Sequence, residues 1–476
     1  MAKTYIVGGT GTMADASNDN GGGHDDTYTG EWTSLMAANG GPTFSTAAGG
    51  TVSWDNTNKY LSHDDAEGIS NLAVGMLIHV HWETEGTEDW YPILSIVASQ
   101  HIDIGEGIDI ADEDPSVVCG GALAKDDTGI QQALDMVVAE DTTEICCNQD
   151  DGTTYPIGAE LATNASSDGM VTALLIMKGV DHTDGSDLDA TSKYPKLQAS
   201  VNMASILKVQ SQYWRIDRLH FDGNAKTFTT AGVQVIDYYI VLYNCLSSNI
   251  GSKDGFNATG SVPVFIGCEA WDCGGKGFYI DTAYVGTLIS CAAHECGSGG
   301  IQLQGGFGTS AINCRAYNNT GYGLFIKSYG GSCIGNVTDN NSTHGIQFDN
   351  LVRALTVCNN SATNNTTNGF DGEVASLEAF ALFANNHSFN NSAHSNMCDD
   401  GDWADLFDGN NITGDPLFRG DETDGDYYPQ SGSPLLEAGW PMSAGYEENQ
   451  DAIALYQSIG VWARKFGRPE VKGSNL

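Results

Sequence analysis

The sequence predicts an all-β solenoid, a chain coiled into stacked rungs of short strands, and three observations carry that prediction. The first is a repeat. Cys245, Cys268, Cys291 and Cys314 fall 23 residues apart, and the frame continues through Asn336, Asn360 and Asn386 at steps of 22, 24 and 26. The second is the five-residue stretch around each anchor, such as Ile-Gly-Cys-Glu-Ala, Ile-Ser-Cys-Ala-Ala and Ile-Asn-Cys-Arg-Ala, which is one short strand written repeatedly. The third is composition: 59 glycines in 476 residues with only 17% charged residues suit many tight turns better than long helices.

Each rung can be read position by position. Two residues after the anchor stands a small side chain: Ser247, Ala270, Ala293, Ala316, Thr338, Ala362 and Ser388. Nine after it stands glycine (Gly277, Gly300, Gly323, Gly345, Gly369), followed by an apolar residue and, in most rungs, another two later. That alternation predicts a further strand launched from a glycine bend. Such a repeat cannot bury its apolar face alone, so neighbouring rungs must stack at about 4.8 Å with equivalent side chains in columns. Five positions after the anchor, Asn319, Asn341, Asn365 and Asn391 form a column whose amides can bond from rung to rung.

The rung length, the asparagine column and the aliphatic stacks resemble the pectin-lyase-like superfamily of right-handed parallel β-helices. The amphipathic stretch Asp126–Val138 resembles the helix that caps the N-terminal end in that family. Residues 152–197 and the stretch Tyr213–Asp222 resemble opening rungs, and Asp415–Phe418 with Ser433–Gly439 resembles a closing segment. The organisation expected is therefore an antiparallel β-domain, barrel or sandwich, over 1–120, where Val74–Trp82, Trp90–Val97 and 102–110 alternate as strands. A capping helix and first rungs follow over 121–200, regular rungs over 201–400, and a closing segment with a C-terminal tail over 401–476.

Charge narrows the partners. Sixty-one acidic against 20 basic residues leave a net charge of −41, which repels phosphate backbones and argues against nucleic acid. No window approaches a membrane span, so no membrane insertion is expected. The first residues, Met1-Ala2-Lys3-Thr4-Tyr5-Ile6-Val7, carry no apolar h-region, and 12 cysteines in that context read as thiols made in a reducing cytoplasm.

For chemistry, the candidate acid–base cluster is Glu269, Asp272 and Glu295 with His294 beside it. Asp272 and Glu295 are equivalent positions one rung apart, about 4.8 Å between Cα atoms, where paired carboxylates would perturb each other. The competing reading places both at a solvated turn, in the column that Asn318, Asn340, Asn364 and Asn390 fill later. Cys268, Cys273, Cys291 and Cys296 mimic a zinc spacing, but the spacing is the repeat's own, which favours a buried thiol ladder. Trp271, Tyr317 and Tyr322 are candidates for stacking on sugars; Trp271 and Tyr317 share a column and would pack together. No cofactor is required, though calcium would suit acidic loops such as Asp421, Asp424 and Asp426, or Asp399–Asp402, which lack the full twelve-residue loop pattern.

The resemblance implies either a structural shaft or an enzyme acting on polysaccharide. The signatures of polygalacturonase-like enzymes are absent and basic residues are scarce on the rungs. The expectation is a virion structural protein made without a signal peptide: a phage or virus fibre, tail appendage or capsid decoration. It would be a homo-oligomer, by preference a trimer, joined to other virion proteins through residues 1–120 and touching host surface polysaccharide. The alternative is a tailspike-like polysaccharide depolymerase, a hydrolase or lyase.

Overall fold

The structure is a computed structural model that describes residues 194–282, 284–349, 352–372, 380–397, 411–419, 427–429 and 433–437. Upstream it describes 3–7, 52–63, 77–82, 87–92, 95–98, 101–104, 116–119, 127–136, 143–149, 154–163, 175–181 and 188. Contacts divide the chain into two compact units, Met1–Leu197 with Asp217–Leu219, and Gln198–Ile216 with His220–Leu476.

The second unit is a right-handed parallel β-solenoid of about 8 turns. Each turn contributes one strand to each of three parallel sheets. Over these turns the first sheet runs from Trp214–Asp217 to Phe380–Ala384, the second from His220–Asp222 to His387–Phe389, and the third from Leu207–Val209 to Ala393–Ser395. Register follows the repeat, as in Ala270↔Ala293↔Ala316↔Thr338↔Ala362.

Two left-handed corners turn the chain from sheet to sheet. Between the first and second strands Asn244, Gly267, Ser290, Asn313, Gly335, Asn359 and Asn385 hold φ between +50 and +68°. Between the second and third, Asn249, Asp272, Glu295, Asn318, Asn340, Asn364 and Asn390 hold φ between +49 and +56°. Asparagine and glycine dominate because they enter this region at least cost. The residue after each corner turns inward, which is why the anchor column is buried: Cys245, Cys268, Cys291 and Cys314, then Asn336, Asn360 and Asn386.

Those inward corners are sealed in two chemistries. The thiols donate to backbone carbonyls, Cys268 Sγ to Leu242 O at 3.5 Å and Cys314 Sγ to Ile312 O at 3.4 Å, and burial pushes the Cys268 and Cys314 thiols up. From Asn336 onward an amide ladder replaces them: Asn336 Nδ2 donates to Asn360 Oδ1 at 2.9 Å and Asn360 Nδ2 to Asn386 Oδ1 at 2.9 Å. The second inward corner makes the same switch, Cys273 and Cys296 giving way to Asn319, Asn341, Asn365 and Asn391, joined at 2.9, 2.9 and 3.0 Å. These six cysteines are free thiols in two separate columns, and among the described residues no group of three or more His, Cys, Asp or Glu side chains could hold a metal ion.

The glycines nine after the anchor serve close approach, where the sequence suggested a bend. None of Gly277, Gly300, Gly323, Gly345 and Gly369 has positive φ. Instead, a β-carbon on Gly300 would stand 2.7 Å from the Gly323 carbonyl oxygen and 2.8 Å from the Ala316 methyl. The small-residue column and the glycine column are thus two sides of one tight contact. Gly300→Ala is expected to cost about 2 kcal/mol by overpacking. Gly330→Ala, at φ +72° with nothing within 4 Å, should cost about 1 kcal/mol for its backbone alone. Urea midpoints of the two variants decide between crowding and bending; equal losses would favour the bend.

Aliphatic and aromatic stacks fill the interior. Phe256 and Phe278 stack at 4.9 Å, and Ile301, Leu324, Ile346 and Phe370 continue their column. Near the end, Phe418, Tyr427 and Leu435 pack with Ile412 over Tyr317 and Val337, on the outer face of the second sheet. Phe418–Arg419 pairs antiparallel with Tyr428–Pro429, and Pro434–Glu437 is a short helix.

In the first unit, Lys3–Val7 pairs in parallel with Thr143–Gln149, so the start of the chain adds to a solenoid-type sheet and lies outside the antiparallel ones. Those are a three-stranded sheet of Leu77–Trp82, Thr87–Pro92 and Ser116–Cys119, and a four-stranded one within 52–103. The helix Asp127–Met136 packs on Lys3–Val7, Thr154–Ile157 and Leu161–Ala162. Its Gln131 amide donates to Ala162 O and accepts from Ala162 N, both at 2.9 Å, standing in for a missing strand along an edge. No described helix is long and apolar enough to cross a membrane.

Candidate functional site

Two outer faces of the rungs carry chemistry. On the second sheet the last residue of each strand points outward, and register aligns Trp271, His294, Tyr317 and Asp339. The His294 ring lies between two others: 6.1 Å from Trp271 at 4°, and 4.7 Å from Tyr317 at 8°. Trp271 and Tyr317 are therefore two rungs apart with His294 between them, and do not pack on each other. Tyr317 is covered in turn by Tyr427, 5.6 Å away.

Carboxylates flank this stack. His294 Nε2 lies 3.2 Å from Glu269 Oε1, and Nδ1 lies 3.7 Å from Glu295 Oε2. Burial would raise the Glu269 carboxyl, but the His294 hydrogen bond and the charges of His294, Arg315 and His220 hold it below its usual range. The structure thus brings Glu269, His294, Glu295 and Trp271 together. Asp272 stands exposed at a left-handed corner and shares none of these bonds. Glu295 occupies the equivalent corner, so both acids sit in the asparagine column; Asn340 Nδ2 bonds Asn318 Oδ1 at 2.7 Å further along it.

Tyr322 belongs to a different face, the outer side of the third sheet. One column there runs Asn257, Tyr279, Gln302, Phe325, Gln347 and Asp371 over six turns. Tyr279 donates to Asp281 Oδ2 at 3.0 Å, and burial together with this bond pushes its hydroxyl up to about 12. Tyr322 donates to Gln302 Oε1 at 2.5 Å, and Gln302 Nε2 to Gln304 Oε1 at 2.7 Å. Lys276 Nζ lies 4.7 Å over the Tyr279 ring, and the Tyr322 ring lies over Gly299, where a β-carbon would come within 2.7 Å of it. Asp371 accepts from Gln347 and Asn368 at 3.1 and 2.8 Å. The face offers amides, hydroxyls and ring surfaces at rung spacing, most of them half-buried. Sequence reasoning found only Tyr322 in it, because no residue type repeats down the column.

The proposed calcium loops, with Asp421, Asp424 and Asp426 and with Asp399–Asp402, lie outside the described residues.

A family described as "Right handed beta helix region" matches residues 204–330 and 256–415. No curated protein matches the sequence. Similar solved structures include the pectate lyase Pel9A, with 17% identity over 63% of this chain and 81% of that one at a TM-score of 0.46. The A-module of the mannuronan C-5 epimerase AlgE4 from Azotobacter vinelandii follows with 14% identity, 56% and 83% coverage and a TM-score of 0.35. ORF18 of Geobacillus virus E2 has 14% identity over 55% of this chain and 56% of that one, with a TM-score of 0.30.

Proposed function

We propose that this protein is a structural β-helix of a virion surface, a fibre, tail appendage or capsid decoration, that holds polysaccharide along the outer face of its third sheet. The observation that carries the binding reading is the column from Asn257 to Asp371. It presents amide and hydroxyl groups, which suit sugar hydroxyls, beside the ring faces of Tyr279, Tyr322 and Phe325, which suit sugar C–H surfaces. Binding rather than cleavage fits the electrostatics of the Glu269–His294 pair, since the raised carboxyl of the second sheet, Asp339, lies beneath Tyr427. A glycosidase needs a carboxylic acid held protonated, whereas Glu269 is pushed in the opposite direction. Attachment to other virion proteins falls to residues 1–120 in this reading, and an oligomer presents several polysaccharide strips at once. Any calcium would serve the acidic loops near the C-terminus and takes no part in the strip.

One arrangement favours the second reading, a polysaccharide-cleaving enzyme: His294 between two carboxylates and two rings. Affinity electrophoresis in gels containing host polysaccharide, with release of reducing ends measured in parallel, separates the two. Tyr279→Ala with Gln302→Ala should weaken retardation at least tenfold, while Glu269→Gln with Glu295→Gln leaves it unchanged and no reducing ends appear. Retardation indifferent to the first pair would end the third-sheet reading. Cleavage abolished by the second pair would establish the enzyme.

A further inference from the structure

The corner that returns each third strand to the next first strand carries side chains that neither binding face uses. Tyr284, Phe307 and Tyr329 stand there on three successive turns, 56, 63 and 43% exposed, among the most exposed large apolar side chains described. Phe307 and Tyr329 are in ring contact at 5.7 Å, and Tyr284 stands on the turn before Phe307, so the three line one rib of successive turns. Exposed apolar surface gathered in one strip, unlike single scattered residues, marks a contact surface.

The charge pattern selects the partner. The described corner residues 259–263, 284–286, 306–309 and 329–331 contain no Asp, Glu, Lys or Arg. The outward residues that open the next first strands, Val264, Thr287, Ser310 and Ser332, are uncharged too. Charge returns only at the ends of the strip, at Asp237 on one side and at Asp349 and Arg353 on the other. The third sheet, by contrast, carries Asp254, Lys276, Asp281, Lys327 and Asp371. In a chain of net charge −41, a second copy is repelled from most approaches. An uncharged, apolar strip is where such copies can meet without juxtaposing like charges.

We propose that the rib Tyr284–Phe307–Tyr329, with Thr287, Ser310 and Ser332 beside it, is the surface through which copies of this chain associate side by side. The inference rests on exposure and charge at this corner and is independent of the polysaccharide strip. A salt dependence follows: screening the net charge should strengthen association, the reverse of an interface built on ion pairs.

Light scattering behind size-exclusion chromatography, at 50 mM and 500 mM NaCl over a hundredfold range of protein concentration, tests this on the full chain. Wild type should run at a multiple of the chain mass, with dissociation at least threefold weaker at high salt. Phe307→Glu with Tyr329→Glu should run as a monomer with an unchanged circular dichroism spectrum, and Phe307→Glu alone should already dissociate, while Ser298→Glu, a single glutamate on another exposed turn, should stay assembled. Phe307→Ser, too mild to threaten the fold, should raise the dissociation constant at least tenfold. A wild type monomeric throughout, or a Phe307→Ser variant as tightly assembled as wild type, overturns the proposal. So does a glutamate variant that keeps its assembled mass but loses retardation by polysaccharide, which would make the rib a sugar-stacking strip.

Discussion

Replacing Asn360 with alanine is expected to destabilise the solenoid by about 4 kcal/mol, as the sum of two or three buried polar groups left unsatisfied at about 1–3 kcal/mol each. Asn360 is fully buried and its side chain closes five bonds. Its Oδ1 accepts from Asn336 N at 3.0 Å, Asn336 Nδ2 at 2.9 Å and Cys333 Sγ at 3.5 Å. Its Nδ2 donates to Cys333 O at 2.8 Å and Asn386 Oδ1 at 2.9 Å. Alanine leaves the Asn336 N–H and the Cys333 carbonyl without these partners where water has no access, and opens a cavity as well. The amide ladder also couples each turn to the next, so its rupture should uncouple the last turns from the rest. Urea unfolding followed by intrinsic fluorescence should show an earlier midpoint or a split transition. Asn340→Gly removes an exposed amide at φ +49° and should change the midpoint by less than about 0.5 kcal/mol. A loss at Asn360 no greater than at Asn340 would mean the ladder is ornamental.

The thiol-to-amide switch explains what the sequence made legible and what it hid. Cysteine at a strict 23-residue step announced the frame, and asparagine in the same column extended it. Both residue types fill one steric and polar role, a small inward side chain that bonds the backbone of the neighbouring turn. The left-handed residue just before each anchor was visible in principle as a column of Asn and Gly, interrupted only by Ser290. It escaped notice because it points outward and varies more. The glycine column is legible in the sequence but its reason is not, since sequence cannot distinguish a glycine needed for φ from one needed for room. The Ala316 methyl against Gly300 settles it for room.

Function was less legible for a related reason. Core columns repeat one residue type because the same space recurs on every turn, whereas a binding face must vary to recognise anything. Asn257, Tyr279, Gln302, Phe325, Gln347 and Asp371 share a register but not a chemistry. Third-strand lengths also differ, and a register shift between Gln304 and Phe307 breaks simple counting. Trp271, His294 and Tyr317 did keep step at 23 residues, but two aromatics drew attention and the histidine between them was read as an acid–base group. Its place in the stack shows that it packs as a ring as well. Likewise Lys3–Val7 meets Thr143–Gln149 across some 140 residues, which no local pattern announces.

Acid should release the closing segment, and His387 is the residue that makes it do so. Its ring is fully buried, with Nδ1 2.8 Å from Ser361 Oγ and Nε2 2.7 Å from the Gly414 carbonyl. Nε2 must donate to that carbonyl, so Nδ1 accepts from Ser361. Burial pushes the imidazole down to about 4; the Gly414 bond and Asp415 pull upward and His394 opposes them, but burial wins. A histidine depressed in the fold is neutral there and charges more readily once released. Its contribution is therefore complete above pH 6.5 and is lost as pH falls towards 4, by about 3 kcal/mol at 1.36 kcal/mol per unit. Asp339, beneath Tyr427 of the same segment, works in the opposite sense: burial raises it, so acid relieves a buried charge there. Because the two oppose, the histidine must be isolated by substitution. His387→Gln can still donate to Gly414 and accept from Ser361, but it does not titrate. Hydrogen exchange at the amides of 411–419 should accelerate about a hundredfold in the wild type between pH 7 and pH 4.5, after correction for intrinsic rates, and at most tenfold in His387→Gln. Equal acceleration in both proteins would assign the release to carboxylates instead, and the histidine would be no more than a bridge between Ser361 and Gly414.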